Sequence, residues 1–264
     1  MMMERCNRDL ASLLKQIREG AERAVNNYKV VARYIKDITV GVDFLHRQEI
    51  IHGDLKPGNI LVKCLPGGDT MLLIGDLDDL VLMEGSMTCS GDISPLRGTV
   101  RYMSPEMLKK FIGQCGTENP GRKTDIWSLG CIMLEIAECF LGIKTAEKML
   151  KNTKQQVSLA NNAKNQFAAL IMDGYVPVVD DKIPHNLASC IRQCLQSNPN
   201  ERLSSAALLH KISVTGATES EIMATIGNAT LEVVVMKWDG MSNIVKVVTL
   251  DSATERIRIL EMPN

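Results

Sequence analysis

The sequence carries almost no charge bias. Its 30 Lys and Arg face 31 Asp and Glu, a formal net charge of −1 at pH 7. Nucleic acids and acidic membranes usually select a basic excess, so neither is expected as a partner. Long apolar runs are missing too: none approaches the roughly 18 residues that a membrane-spanning helix needs. After Met1–Met3 come Glu4, Arg5, Asn7, Arg8 and Asp9 rather than the apolar core of a secretory signal. A cytoplasmic or nuclear protein is therefore expected. Eight cysteines are present, but none forms a C-x-x-C pair, and Cys131, Cys139, Cys190 and Cys194 fall in helical-looking sequence. Reduced core thiols are the expected reading, not a metal cluster. The "NAT" at 228–230 fits a glycosylation acceptor, but without a secretory signal it reads as chance.

What is present suffices for one large core or two modest domains: 264 residues, 45% hydrophobic and 23% charged. Residues 8–19 read as a short helix capped by Asn7 or Asp9 and ended by Gly20. Val31, Tyr34, Ile35, Ile38, Val42 and Leu45 recur at spacings of three and four, one face of a long helix through about His46. Short apolar runs follow at 50–51, 60–63 and 71–74, the last two joined by "PGGD" as in a hairpin. Residues 77–103 show no period, and a loop of that length in a compact domain is usually functional. Residues 124–142 are apolar nearly all round and predict a buried helix. Further helices are expected near 163–173, 186–196 and 203–211. Beyond His210 the runs 231–238 and 244–250, joined through "DGMSN", predict a hairpin, with a short helix over about 252–260.

Chemistry concentrates in "EIIHGDLKPGNILV", residues 49–62. A carboxylate such as Asp54 can accept a hydroxyl proton, and Asn59 offers a neutral oxygen to a hard cation such as Mg²⁺. Lys56 places positive charge where a transferring phosphoryl group would build up negative charge. An ordinary polar turn would use the same Asp, Pro and Asn for backbone reasons. Four further stretches accompany the loop: "IGDLDDL" with Asp76, "GTVRYMSPEML" at 98–108, "DIWSLG" at 125–130 and "NPNERLSSAALL" at 198–209.

In these stretches, and in their order across residues 1–211, the sequence resembles the eukaryotic protein kinases of serine/threonine type. The resemblance implies a kinase-like large lobe: mainly α (α+β), a helical domain with small β-hairpins, followed by a short β-rich tail over 212–264. It implies ATP and Mg²⁺ as cofactors and a protein as substrate. Asp54 matches the catalytic aspartate, Lys56 the lysine that contacts the γ-phosphate, and Asn59 and Asp76 the metal-binding residues. Leu61 matches the apolar residue beneath the adenine, and Thr99 the threonine that bonds around the catalytic aspartate and lysine. Glu106 is expected to pair with Arg202, and Asp125 to anchor the loop backbone. His52 matches a packed core position, and Met1–Glu4 the hinge strand.

The departures are as informative. Gly53 stands where many kinases carry the arginine that grips a phosphate on the activation segment. Phosphate at Ser86, Thr88, Ser90 or Ser94 would then lack its bidentate partner. Oligomerisation or a regulatory protein is expected to govern activity instead, unless Arg97 or Arg101 takes the phosphate. Leu77 and Asp78 replace the usual phenylalanine and glycine. No G-x-G-x-x-G stretch and no strand lysine of the "VAIK" type occurs. Only 51 residues precede His52, where a small lobe would need roughly 70. The expectation is thus a truncated kinase without its small lobe; the alternative is a non-catalytic scaffold. For the tail, a hairpin extension and the start of a ubiquitin-like fold remain open.

Overall fold

The computed structural model describes residues 8–20, 28–65, 68–76, 81–82, 100–111, 121–143, 149–151, 156–158, 171–214, 232–238, 243–251 and 256–262. Thr99, the Met1–Glu4 stretch, Leu77, Asp78, the four candidate phosphorylation sites, Arg97, the "NAT" and most of the expected helix at 163–173 lie outside them.

The fold is mainly α with small antiparallel sheets. Strand β1 (Arg8–Asp9) leads into α1 (Leu10–Arg18), whose N-terminus is capped by Asp9 accepting the Ser12 amide at 2.7 Å. Helix α2 (Tyr28–Arg47) carries the expected stripe: Val31, Tyr34, Ile35, Ile38, Val42 and Leu45 are all buried. Strand β2 (Ile50–Ile51) follows, then β3 (Ile60–Cys64) and β4 (Thr70–Ile74), which pair as the predicted hairpin with Ile60 opposite Ile74. Strand β1 adds to the outside of β3. Within the apparently patternless 77–103, β5 (Val81–Leu82) pairs with β2, and Val100–Tyr102 forms a single 3₁₀ turn.

Helix α3 (Pro105–Phe111) precedes α4 (Arg122–Phe140), the centre of the core. Trp127, Leu129, Ile132, Met133 and Ile136 on α4 are all within 1% of complete burial, which is why its sequence shows almost no polar face. Helix α2 packs across α4, with Tyr34 and Phe140 meeting edge to face at 5.3 Å. Strands β6 (Met149–Lys151), β7 (Gln156–Ser158) and β8 (Val176–Pro177) make a small sheet. Helices α5 (His185–Cys194) and α6 (Ser205–Val214) pack on α4 and α2 respectively. Burial pushes the Cys131 thiol up to about 12 and raises that of Cys194 further still, so both stay neutral thiols. No helix among the described residues is long and apolar enough to cross a membrane.

The tail corrects one expectation. Strands β9 (Glu232–Trp238) and β10 (Asn243–Asp251) form the hairpin, but a third strand, β11 (Arg256–Met262), stands where a short helix was expected over 252–260. Arg256, Ile257, Arg258 and Ile259 alternate with period two. Pairing sets Ile257 opposite Leu250 and Ile259 opposite Val248. A β-branched, alternating segment beside an open strand edge completes more backbone hydrogen bonds as a strand than as a two-turn helix.

Candidate active site

Helix α2 ends at Arg47, the chain reverses through Glu49 in the left-handed region (φ 60), and β2 delivers it into the 52–59 loop. The loop backbone hangs on Asp125 in the first turn of α4. Asp125 Oδ2 accepts the His52 amide at 2.9 Å, and Oδ1 accepts the Gly53 amide at 2.9 Å. His46 Nε2 lies 2.9 Å from the same Oδ2, and an ionised carboxylate leaves the imidazole as donor. One carboxylate on α4 thus ties together the end of α2 and the start of the loop.

His52 is consumed by structure. Its Nε2 lies 3.1 Å from the Gly75 carbonyl, which can only accept, and its Nδ1 accepts the Asp54 amide at 3.4 Å. Those two bonds occupy both ring nitrogens of a side chain only 1% exposed, so the ring sits in the packing rather than facing a substrate.

The residues beyond it are arranged differently. Asp54 is half-buried, and its Oδ2 receives both the Lys56 ammonium and the Asn59 amide, the latter at 3.1 Å. Asn59 Nδ2 also donates to the Asp54 carbonyl at 2.8 Å. With its nitrogen so engaged, Asn59 keeps Oδ1 as an open acceptor. The 3₁₀ turn Pro57–Asn59 then feeds directly into β3.

Pairing of β3 with β4 brings Asp76 to the same end of the hairpin. The Gly75 amide donates to the Asn59 carbonyl at 2.8 Å. A Cβ on Gly75 would meet the Leu61 side chain at 3.2 Å and the Asn59 carbonyl at 3.6 Å, so the absence of a side chain permits this approach. Asp76 itself is exposed and adopts φ 56, a left-handed conformation that short polar residues tolerate. Leu61 is half-buried on β3 beside Gly75.

The donor set fits a hard cation that shares its coordination with phosphate oxygens: one amide oxygen and one carboxylate, with no thiol or imidazole. Among the described residues no group of three or more His, Cys, Asp or Glu could hold a metal unaided. A pair of oxygen donors is within the one or two protein ligands that Mg²⁺ commonly takes beside phosphates and waters.

Below the site, Arg202 lies fully buried and uses every donor it has. Nη1 and Nη2 reach the two Glu106 oxygens at 2.6 and 2.8 Å, and the remaining bonds go to the carbonyls of Gln196, Lys123 and Ser197. Its guanidinium also stacks over Trp127 at 5.1 Å. This ties α3, the start of α4 and the segment before α6 together. Thr99 lies outside the described residues.

Sequence reasoning missed two structural groups. His46 continues the α2 stripe four residues after Val42, a signal that it faces inward. Glu135 is a buried carboxylate inside an otherwise apolar helix, which required polar partners. Those are Arg18 Nη2 at 2.6 Å, the Tyr102 hydroxyl at 2.6 Å and Arg101 Nη2 at 3.4 Å. Burial, together with the Glu135 charge, raises the Tyr102 phenol well above its ordinary range.

Comparison with known proteins gives this arrangement its context. The protein kinase domain family matches residues 1–212. Mitogen-activated protein kinase kinase kinase 4 of Mus musculus is 28% identical over 193 residues, covering 73% of this chain and 11% of the relative. Serine/threonine-protein kinase Nek11 of Mus musculus is 30% identical over 202 residues, covering 76% and 27%. Mitogen-activated protein kinase kinase kinase 3 of Arabidopsis thaliana is 31% identical over 189 residues, covering 72% and 29%. The chain thus spans less than a third of the length of these relatives. With most of its length matched, and the matched region folded around one polar loop, the chain belongs to the protein kinase domain family.

Proposed function

We propose that this chain is the phosphoryl-transferring lobe of a serine/threonine protein kinase, acting on protein hydroxyls with Mg-ATP. The observation that carries the reading is the convergence on Asp54. Its Oδ2 is held by Lys56 and Asn59, while the loop beneath is bonded to Asp125. A carboxylate fixed through one oxygen keeps the other to accept a proton from a substrate hydroxyl, which requires that oxygen within hydrogen-bond reach. Lys56 stabilises the charge that grows on the transferred group, in a half-buried setting where a fixed cation acts more strongly than in water. Asn59 Oδ1 and the Asp76 carboxylate would hold Mg²⁺, which neutralises phosphate charge when bound. Leu61, half-buried on β3, supplies apolar surface for an adenine ring. With no guanidinium at Gly53, we take control of the lobe to come from a protein partner or from self-association rather than from a phosphate at 86–94.

Phosphate incorporation from radiolabelled ATP into a protein substrate, together with calorimetric Mg-ATP binding, tests this assignment. Asp54→Asn removes the proton acceptor while preserving shape, and should lower transfer by about 10²–10⁴-fold with nucleotide affinity unchanged. Asp76→Asn should weaken Mg-ATP binding instead. Small and equal effects from both would favour the non-catalytic scaffold.

A further inference from the structure

Glu135 is one buried carboxylate shared by two guanidiniums. Arg18 of α1 donates from Nη2 to its Oε1 at 2.6 Å, and Arg101 brings Nη2 within 3.4 Å of the same oxygen. The other oxygen accepts the Tyr102 hydroxyl, and that phenol stays neutral because burial raises it well above its ordinary range. One negative charge thus stands against two positive ones. Among the described residues neither arginine meets a second carboxylate. Arg18 leaves its Nε and Nη1 donors unused, and Arg101 otherwise only lies over the Tyr102 ring at 5.7 Å.

Both guanidiniums reach solvent. Their side chains are 47% and 35% exposed, whereas that of Glu135 is only 5% exposed. A buried carboxylate therefore fixes two accessible arginines beside each other, with donors to spare. Such a pair is pre-organised, because the freedom of two long side chains has already been lost in folding. The excess is one charge at one spot. The other cation of α1, Lys15, lies 3.9 Å from Glu19, and the whole chain carries a net charge of −1. Nucleic acid needs many cations along its backbone. A single carboxylate or phosphate monoester on a protein segment fits instead, since either matches the planar fork of a guanidinium.

The position separates this spot from the catalytic loop. The cleft beside Asp54 is walled by residues 53–55 and 102–104, Met107, Thr124 and Ser128, and neither α1 nor Arg101 nor Glu135 contributes to it. A segment anchored at Arg18 leaves that cleft open. We infer that Arg18 and Arg101 form a docking site for an anionic segment of a regulatory protein, outside the cleft. The inference rests on the kinase reading above and names the chemistry of the partner invoked there. Docking also has a route to the active site, because Tyr102 lines the cleft while its hydroxyl is held by Glu135.

The test is fluorescence anisotropy with the full chain and three labelled peptides that offer no free hydroxyl and so cannot be substrates. One carries a central pair of aspartates, its twin carries asparagines, and the third carries phosphoserine in the same place. The aspartate or the phosphoserine peptide should bind about tenfold more tightly than the asparagine twin, as expected of one charged hydrogen bond. Whichever binds better identifies the source of the charge. Arg18→Gln should abolish the preference, while Lys15→Gln, which removes the same charge from the same helix, should leave it intact. Arg101→Gln, whose contact with Glu135 is the longer, gives a second reading if Arg18→Gln fails to fold, and should also weaken the preference. Three results overturn the inference: no preference in the wild type, whether through equal binding or through none; a preference that survives Arg101→Gln or a folded Arg18→Gln; or an equal loss in Lys15→Gln. Phosphate incorporation into a serine substrate that still collapses in Asp54→Asn alongside any of these would leave the kinase reading standing and sink this inference alone.

Discussion

Two aspartates on the core helices meet opposite treatment. Asp125, at the base of the 52–59 loop, receives the His52 and Gly53 amides and the His46 ring, all at 2.9 Å. Asp37, half-buried midway along α2, receives one amide, from Leu72 of β4 at 3.1 Å. Its carboxyl is raised to about 6, chiefly by burial; the Leu72 bond and the nearby Arg33 and Lys36 only partly oppose this. Both carboxylates give up water, but only one is met by three donors. The difference teaches where the fold concentrates its polar contacts. Asp37 itself gets by on one bond, because apolar packing and the neighbouring Tyr34–Thr70 and Arg33–Asp69 contacts fix the seam of α2 and β4 around it. Around the loop, packing cannot hold a backbone that must keep Asp54 half open, so hydrogen bonds do.

The strongest way to break the comparison is to remove Asp125. Asp125→Ala leaves the buried His46 ring and His52 amide without acceptors, and such uncompensated polar groups cost about 1–3 kcal/mol each. We expect a loss of about 3–5 kcal/mol in urea denaturation, with Asp125→Asn intermediate because one acceptor oxygen survives. A loss below about 1 kcal/mol would show that the loop is held by packing after all, like the seam.

The same contrast explains what was legible in the sequence. The α2 stripe, the β3–β4 hairpin and the apolar α4 were readable because each is written in local sequence: a helical period, two runs around a turn, and a run with no polar face. The cluster of Asp54, Lys56 and Asn59 was readable because its contacts lie within five residues of one another. What joined them was not. The partners of Glu135, Arg18 and Tyr102, lie 117 and 33 residues away, and neither shows any local sign of its role. In the tail, the seven residues of β11 suit two structures, and only pairing with β10 decides between them.

Asp37→Asn sharpens the comparison from the other side. The sign follows from a folded-state value near 6 against about 3.9 unfolded. Between those values the folded chain binds more protons than the unfolded one. The group therefore favours folding below about pH 4 and loses that advantage as pH rises through 6. Asparagine still accepts the Leu72 amide but carries no charge to desolvate. At pH 7 Asp37→Asn should stabilise the chain by up to about 3 kcal/mol, since each tenfold change in proton affinity is worth roughly 1.4 kcal/mol. At pH 4 it should stabilise by almost nothing. Equal effects at both values would mean that burial does not govern this carboxyl, and the contrast with Asp125 would fail.

The smallest effect is expected at Gly53, where the two kinds of support can be separated. Its backbone is left-handed (φ 79), and its amide is held by Asp125 Oδ1. A side chain in that region costs about 1–2 kcal/mol. Replacing glycine also stiffens the unfolded chain, which returns about 0.4–1 kcal/mol. Gly53→Ala should therefore destabilise by only about 1 kcal/mol, the difference of those terms. Its context is what matters. If Asp125 imposes the left-handed turn, the cost exists only while Asp125 grips the amide. In an Asp125→Ala background the loop can relax to a conformation that alanine accepts, and Gly53→Ala should then cost nothing or stabilise slightly. Such non-additivity, of about 1 kcal/mol in a double-mutant cycle, would show that the turn is enforced by the carboxylate. Strict additivity would instead place the cause in the chain on either side, and Asp125 would be anchoring a loop that already has its shape.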